Sequence, residues 1–493
     1  MIKIRKLLIL PVVLVLSVVL TGCNGGSSPS KSEKMTLYWW RVIGDAREET
    51  YEEIAKSFSS QNKSVQIEIV SKDPRVYEEE VLSALAANQT IENAPDIISI
   101  PAEDLPRFVP QLTPAPDDLF DQALTAKKKT GKSAVEYVRE NFEPIVGKTA
   151  VLNNASGEAK LYGLPIAVDT LALYINRDLL KEASETIETS SRYTKDKTRE
   201  EIKALSKKVL TPPTTWEGLA EIIPYLTLKD GNIITKAGIS LGTSKNVERS
   251  YDILSSVMMQ NGTQLTDNNL SSATFNQSQT GATTKSTPGE EALKFYLRFS
   301  NPSDPLYTWN SDMPNSVDAF MQGQLAILPQ YASLYVHLIN EMPTLKKSIE
   351  VSAFPQITDK TNLAGAQSQV VAGRMNVFAA PSAKGDSSRQ GASWAFINYL
   401  TSKSGSSAYL SAMKLPSALK EVDSKAKFDV FDEQKTIADT WYKGHKAMQV
   451  DEIFISMIDD AYTGRKSVLD AVNSASTSVT TILQASNSKW SGR

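Results

Sequence analysis

A serine flanked by glycines is the first feature of the sequence that could do chemistry. Gly238, Ser240 and Gly242 match the pattern G-x-S-x-G, in which a nucleophilic serine stands on a sharp turn between a strand and a helix. Such a hydrolase also needs a histidine, and the chain has only His337 and His445. Here the serine falls inside an apolar strand pattern and a loop pattern follows it. A chance match within a strand is therefore the favoured interpretation.

Other patterns of catalytic or metal-binding residues are absent from the sequence. It contains no H-E-x-x-H, C-x-x-C or phosphate-loop motif, so we expect no cofactor and no metal. Paired carboxylates are abundant and leave a glycoside hydrolase open, since such enzymes use two of them, but none stands in a persuasive context. We predict that the protein is not an enzyme, with a secreted, lipid-anchored hydrolase acting on glycans or esters as the alternative.

The beginning of the chain indicates its compartment. Lys3, Arg5 and Lys6 precede an apolar run over residues 7–20, which is typical of an export signal because it is too short to span a bilayer as a stable helix. The run ends in Leu-Thr-Gly-Cys, which resembles the lipobox of bacterial lipoproteins. We therefore predict a signal peptide over residues 1–22 and an extracytoplasmic protein anchored to the cell membrane by a lipid on Cys23. An uncleaved membrane anchor or an ordinary secretory signal is the alternative.

Composition limits the partners and the architecture. Cys23 is the only cysteine, so the mature chain has no disulfide and no thiol for catalysis. The length of 493 residues favours two domains, and a net charge of −3 without a basic half argues against nucleic acid as a partner. Residues 23–34 are rich in Gly and Ser, which predicts a flexible tether.

Strand and helix patterns alternate in the body of the chain. Between residues 35 and 100 they follow the order β-α-β-α-β, which predicts a mostly parallel sheet covered by helices. The same alternation resumes at residue 171. Two polar stretches, residues 181–208 and 263–287, are predicted to be surface elaborations whose role the sequence does not reveal.

A series of ordered motifs resembles one protein family. The clearest is the string LYGLPIAVDTLALYINRDLL, which begins at Leu161 and contains Pro165, Asp169 and Tyr174. The other matches, in chain order, are Gly44-Asp45 and residues 51–58, 94–98, 213–217, 320–327, 392–400 and 415–416. Together they are similar to the family 1 extracellular solute-binding proteins of ABC importers.

The resemblance implies a fold and a division of the chain. The expected fold is α/β, two-lobed and periplasmic-binding-protein-like (type II), with mixed, mostly parallel sheets and a ligand cleft between the lobes. Residues 35–167 and 379–411 would form the first lobe, and residues 168–378 and 412–493 the second. Ligand would shift an equilibrium between open and closed forms, with a hinge near Ala167.

The expected ligand-binding residues follow strands, because ligands bind at the carboxyl ends of strands in α/β sheets. Carboxylates and amides bind sugar hydroxyls, and aromatic rings pack on sugar faces. The candidates are Asp45, Trp40, Glu103, Asp169, Glu248, Tyr251, Trp309, Tyr331 and Arg374. The resemblance favours Asp169 most, since this residue matches the acid of the family's crossover motif.

Most candidates also have a structural interpretation. Asp45 is an equally good helix N-cap, Asp169 fits a buried hydrogen-bond acceptor, and Glu103 fits a solvated loop acid. For the aromatic candidates Trp309 and Tyr331, ordinary packing is as reasonable as stacking on a ligand, and for Trp40 it is favoured.

The resemblance implies a binding function. The protein would capture a small polar solute, expected to be a sugar or oligosaccharide, and deliver it unmodified to the permease of an ABC transporter. A phosphorylated ligand would call for clustered Arg or Lys, whereas these candidates are mainly acidic and aromatic. We expect the protein to act as a monomer.

Overall fold

The computed structural model describes residues 34–42, 48–87, 91–120, 131–231, 233–278, 286–358, 369–382, 386–421 and 429–491. Two separate hydrophobic cores lie in this part of the chain, each packed around its own mixed sheet. The predicted two-lobed α/β fold is thereby confirmed. The predicted signal peptide, Cys23 and Asp45 lie outside the described residues.

The strands alternate with helices along the chain, as the sequence pattern predicts. The strands are β1 (Met35–Val42), β2 (Val65–Lys72), β3 (Ile97–Pro101), β4 (Leu112–Thr113), β5 (Val151–Asn153), β6 (Ala159–Leu161), β7 (Leu164–Pro165), β8 (Asp169–Asn176), β9 (Leu228–Asp230), β10 (Ile233–Ile239), β11 (Leu325–Tyr331), β12 (Ile349–Ala353), β13 (Val371–Arg374), β14 (Asn376–Pro381) and β15 (Ala438–Asp439).

The helices cover the sheets. They are α1 (Glu48–Gln61), α2 (Tyr77–Ala86), α3 (Leu105–Phe108), α4 (Ala134–Asn141), α5 (Pro144–Ala150), α6 (Arg177–Thr189), α7 (Ser191–Thr194), α8 (Arg199–Leu210), α9 (Trp216–Leu226), α10 (Ser250–Gln260), α11 (Pro288–Leu297), α12 (Ser316–Met321), α13 (Leu334–Glu341), α14 (Ser387–Thr401), α15 (Lys403–Met413), α16 (Asp429–Gln434), α17 (Ala447–Tyr462) and α18 (Val468–Ser491). Within the described ranges, none of these helices combines the length and the apolar character needed to cross a bilayer.

Helix α1 illustrates how the sequence produces these elements. Tyr51, Ile54, Ala55 and Phe58 recur at helical spacing and are all buried, so one face of the helix packs on the sheet. Trp39 of β1 meets the Tyr51 ring edge-on, with 5.3 Å between the ring centroids. Edge-to-face geometry is favourable for aromatic pairs and adds to the apolar area that the helix buries.

Strand direction differs from the prediction of mostly parallel sheets. Among the described strands, β1 pairs in parallel with β2 and β3, β10 with β11, and β13 with β15, whereas the other ladders are antiparallel. The reason is the crossing between lobes. The chain leaves the first lobe after β7 and returns to it in β14, so these two strands run in opposite directions side by side, as do β8 and β13.

Three passages join the lobes. The first runs over residues 166–168, and the second is at Met375, between β13 in the second sheet and β14 in the first. Residues 376–378 therefore pair in the sheet of the first lobe, whereas the sequence analysis assigned them to the second. The third passage follows Lys414, and its residue Ala418 donates its backbone N–H to the carbonyl oxygen of Ile166 over 2.9 Å.

The stretch over residues 181–208 folds into helices that pack on each other. The side chain of Ile187 is fully buried, and the hydroxyls of Ser184 and Ser206 are hydrogen-bonded over 2.6 Å. Within residues 263–278, the Phe275 side chain is also fully buried. These polar stretches thus contribute to the second core as well as to the surface.

Candidate functional site

A cavity of about 670 Å³ lies between the lobes, and we call it the main chamber. Both lobes line it, together with Ile166, Ala167 and Met375 of the first two passages and the adjoining strand residues Asp169 and Arg374. Any relative movement of the lobes must therefore change the shape of this cavity.

Two further cavities adjoin the main chamber. One, of about 530 Å³, is lined by Pro106 and Leu152 of the first lobe and by Leu265 and Trp441 of the second, and we call it the side chamber. A small cavity of about 40 Å³ shares residues with both chambers. Glu103 lines all three cavities, so the cleft is continuous around this side chain.

Lys443 carries a buried positive charge at the centre of the cleft, with 4% of its side chain exposed. Its Nζ donates to Asp451 Oδ1 over 2.6 Å and lies 3.9 Å from Asp252 Oδ1 and 4.0 Å from Glu103 Oε2. Burial opposes the charge, but the three carboxylates outweigh burial and raise the pKa of Lys443. Because Glu103 belongs to the first lobe, this contact bridges the cleft.

Two carboxyl groups in the main chamber titrate near neutrality. Burial, with the charges of Glu103 and Glu78, raises the pKa of Asp104 to about 7. Burial also raises the pKa of Asp451 to about 7, although Lys443 pulls it down. Asp104 has no hydrogen-bond or ion-pair partner for its carboxylate within the described part of the chain.

Arg249 is a second cation at the cleft, and its backbone conformation is strained. Its φ of 61° lies in the left-handed region, which side-chain-bearing residues rarely adopt, and it is the N-cap residue of α10. In this conformation Nη1 donates to the Tyr251 hydroxyl over 2.7 Å, and both side chains line the main chamber. Strained residues cluster at binding sites, so Arg249 adds to the case for this cleft as the site.

Asp169 and Arg374 form an ion pair beside the passages. Arg374 Nε donates to Asp169 Oδ2 over 3.2 Å, and the backbone N–H of Ser333 donates to Asp169 Oδ1 over 3.3 Å. Arg374 also donates to the Ser333 hydroxyl over 2.8 Å and lies 4.1 Å from the centroid of the Tyr331 ring. Asp169 thus has the contacts of a buried structural acceptor while it still lines the main chamber.

Some predicted site residues do not line the three cavities. Trp309 is fully buried and donates to Asn246 Oδ1 over 3.2 Å, so its loop packs inward and offers no stacking platform. Trp40 is buried too, with its indole N–H bonded to the carbonyl oxygen of Asn93 over 3.0 Å. Exposed Glu248 accepts from Gln330 Nε2 over 3.0 Å. These contacts are those of core and surface residues.

The structure brings four predicted residues together at the cleft: Glu103, Asp169, Tyr251 and Arg374. Tyr331 is 1% exposed and lines only the small cavity, where its ring lies under Arg374. The residues that the sequence analysis missed are Arg249, Asp252, Trp441, Lys443 and Asp451. The sequence does contain one feature that could have indicated this site, the run Trp441-Tyr442-Lys443, since a loop with two aromatics and a cation is unusual.

The serine motif does not form a nucleophile elbow. Ser240 follows β10, is fully buried, and its hydroxyl has no hydrogen-bond partner in the described part of the chain. No helix begins until Ser250, so the required strand–turn–helix geometry is missing there. The described residues also hold no group of three metal-ligating side chains.

Comparison with known proteins decides the family. Residues 53–435 match the family model described as bacterial extracellular solute-binding protein. This chain belongs to that family. The solute-binding family accounts for the two lobes and the cleft between them, and it agrees with the resemblance of the sequence motifs.

Individual relatives of this solute-binding protein are distant. The maltodextrin-binding protein MdxE of Bacillus subtilis (strain 168) is 26% identical over 184 residues, which are 37% of this chain and 37% of that protein. The match thus spans little more than a third of that curated relative.

Solved structures share the fold over nearly the whole chain. The cyclic alpha-maltosyl-1,6-maltose binding protein of Arthrobacter globiformis has a TM-score of 0.67 at 15% identity, covering 92% of this chain and 100% of that one. The GacH receptor of Streptomyces glaucescens GLA.O, solved unliganded and with acarbose, has a TM-score of 0.64 at 16% identity and covers 92% and 99%.

Proposed function

We propose that this protein captures a sugar or oligosaccharide between its lobes and delivers it, unmodified, to the permease of an ABC importer. The observation that carries the proposal is the main chamber, which both lobes and the passages line together. A ligand there contacts both lobes at once, so it favours the closed form by its differential affinity.

The lining of the cleft supports a polyhydroxylated ligand. Carboxylates and guanidinium groups accept and donate hydrogen bonds, while the half-buried Tyr251 and Tyr409 offer apolar ring surface in the main chamber. Its structural neighbours include a cyclic alpha-maltosyl-1,6-maltose binding protein and a receptor solved with acarbose, which supports a saccharide as the ligand of this cleft.

The remaining parts of the proposal concern attachment and partners. Acylated Cys23 would hold the protein at the outer face of the cell membrane, and the tether over residues 23–34 would let the lobes reach a permease. The protein would work as a monomer, since each chain has its own complete cleft.

Binding without turnover is the central test. The purified protein is mixed with a panel of oligosaccharides, and thermal unfolding, tryptophan fluorescence and chromatography of the mixtures are recorded. We expect one ligand class to remain intact and, at about one hundred times its Kd, to stabilise the fold by about 2.7 kcal/mol. Products released from any oligosaccharide would support the hydrolase and overturn the proposal.

Attachment is tested with a single substitution. Wild-type cells given a radiolabelled fatty acid should label the protein and retain it in the membrane fraction, whereas Cys23→Ser should abolish the label and release the protein. Label on the C23S variant would contradict anchoring at this residue.

A further inference from the structure

Charged side chains in the main chamber and the small cavity are not balanced. The carboxylates are those of Glu78, Glu103, Asp104, Asp169, Asp252, Asp439 and Asp451, and the cations are Arg249, Arg374 and Lys443. Three of the acids have cations of their own, because Asp169 pairs with Arg374, Glu78 with Arg107 and Asp439 with Lys148. Among the described lining residues, the cations left for the other four acids are Arg249 and Lys443. When all groups are ionised, the cleft therefore carries two uncompensated negative charges.

This imbalance is concentrated in one place. Glu103, Asp252 and Asp451 share the single ammonium group of Lys443, and only Asp451 is hydrogen-bonded to it. Asp104, next to Glu103 in the chain, has no hydrogen-bond or ion-pair partner among the described residues and lines the main chamber. Burying an unpaired carboxylate is costly, so a cation from outside would be stabilised strongly here.

A second, independent feature of the cleft points to a ligand that also offers acceptors. The Trp441 side chain is 8% exposed and lines both the small cavity and the side chamber. Its indole N–H has no hydrogen-bond partner in the part of the chain that the structure describes. A buried donor of this kind is normally satisfied. Less than 1 Å² of this nitrogen is accessible, so a sugar hydroxyl accepts its hydrogen bond only after the ring or the lobes move.

We propose that the solute is a sugar carrying a basic amine, with its ammonium group held near Glu103, Asp104 and Asp451 and a hydroxyl accepting from Trp441. This inference rests on the proposed function and specifies its ligand class. Tyr251 lines the main chamber beside these acids, and its ring face can add a cation–π contact.

The acids also predict how binding depends on pH. Asp104, which faces Glu103, Glu78, Arg107 and Lys443, and Asp451, which faces Lys443, Asp252 and Glu103, both have a pKa raised to about 7. Below pH 7 these carboxyls take up protons and lose their attraction for an ammonium group. Affinity for an aminated sugar should therefore fall as the pH falls through 7, while affinity for its neutral parent changes little.

Matched ligands test this inference by calorimetry with the purified protein. The pairs are maltotetraose and cellotetraose, each with its 6-amino-6-deoxy derivative, whose primary amine is protonated at both pH values used. At pH 8 we expect the aminated member of at least one pair to bind about tenfold more tightly or better, as one added charge-assisted contact implies. At pH 5.5 the preference should shrink to about threefold or less.

A variant pair links the preference to the acid. Asp104→Asn should reduce the ratio of aminated to neutral affinity at pH 8 by about fivefold, because it removes the unpaired carboxylate. Asp196→Asn makes the same change at an exposed position on the second lobe and should leave the ratio as it is. Thermal unfolding of both variants shows that they are folded.

Each remaining outcome contradicts a different claim. If neutral sugars bind as tightly as their aminated partners at pH 8, the claim that the solute carries an amine is wrong, and the proposed function stands. If neither series binds, the proposed function itself fails. If spermidine binds as well as the aminated sugars, the cleft recognises a polyamine, and the sugar part of this inference is overturned.

Discussion

Two buried lysines near the end of the chain are used in different ways. The side chains of Lys435 and Lys443 are each 4% exposed. Lys435 donates to the carbonyl oxygens of Ser417 and Leu419 over 3.0 and 2.7 Å and pairs with buried Glu143 at 3.3 Å. Lys443 has one hydrogen bond, to Asp451, and two more distant carboxylates.

The difference indicates what each charge is for. Lys435 connects the first lobe, through Glu143, to the third passage, through Ser417 and Leu419, and it is fully satisfied by the protein. Lys443 stands among more carboxylates than it can neutralise, and it faces a cavity. A charge that holds a fold together needs a complete set of partners, whereas a charge at a binding site keeps capacity for a ligand.

The largest effect is expected when Lys435, the lysine with the structural role, loses its charge. Lys435→Met leaves Glu143 buried without a cation, which should lower the free energy of unfolding by about 3–5 kcal/mol. Urea unfolding measures the loss. The double variant Lys435→Met with Glu143→Gln should recover part of it, since Glu143 then carries no charge and only Asp432, 3.9 Å from the lysine in the parent protein, keeps one beside this position. A loss below about 1 kcal/mol in the single variant would show that the pair is not structural.

A smaller effect is expected from the same substitution in the cleft. Lys443→Met removes the cation shared by Glu103, Asp252 and Asp451, so their mutual repulsion should cost about 2 kcal/mol at pH 8. The cost should diminish towards pH 5.5 because Asp252 and Asp451, whose folded-state pKa values are raised, then bind protons. Unfolding at both pH values measures this dependence, with exposed Lys446→Met as the control. A cost independent of pH would contradict the electrostatic explanation.

Removing an unpaired acid should stabilise the protein. The pKa of Asp104 is raised to about 7 in the folded state, so its ionisation above pH 7 destabilises the fold relative to the unfolded chain. Asp104→Asn should therefore raise the free energy of unfolding by about 1–2 kcal/mol at pH 8. Below the unfolded pKa, near pH 4, both states bind the proton and the gain should vanish. Equal stability of D104N and the control D196N at pH 8 would refute the raised pKa.

The sequence predicted features whose signals are local. A threonine directly before a helical pattern predicts an N-cap at Thr215, and Trp216 is then predicted to pack in the first turn. Thr215 Oγ1 does accept from the backbone N–H of Gly218 over 3.0 Å, and Trp216 is 3% exposed. Both roles depend on residues only a few positions apart, which is why the motif could be interpreted without a structure.

The charged site could not be predicted from the sequence, because its residues are not close together in the chain. Glu103, Asp252, Lys443 and Asp451 come from distant segments and meet only when the lobes are folded and adjacent. The burial of individual side chains could not be predicted either. Trp309 stands in a polar loop, yet its ring is fully buried because that loop packs inward. The family resemblance predicted a cleft, but the network inside it depends on tertiary contacts that no spacing encodes.

The smallest effect on stability is expected from the substitution of Trp441, which can be compared with the same substitution at Trp309. Trp441→Phe removes an indole N–H that has no partner among the described residues, so the free energy of unfolding should stay within about 0.5 kcal/mol. If a bound sugar accepts from that N–H, affinity for the best oligosaccharide of the panel should fall about fivefold, as the loss of one hydrogen bond implies. Trp309→Phe is the matched control: its N–H is bonded to Asn246 away from the chambers, so it should lower stability and spare affinity. Calorimetry and urea unfolding on both variants separate the two roles, and a W441F variant that binds as tightly as the parent protein would place the ligand elsewhere in the cleft.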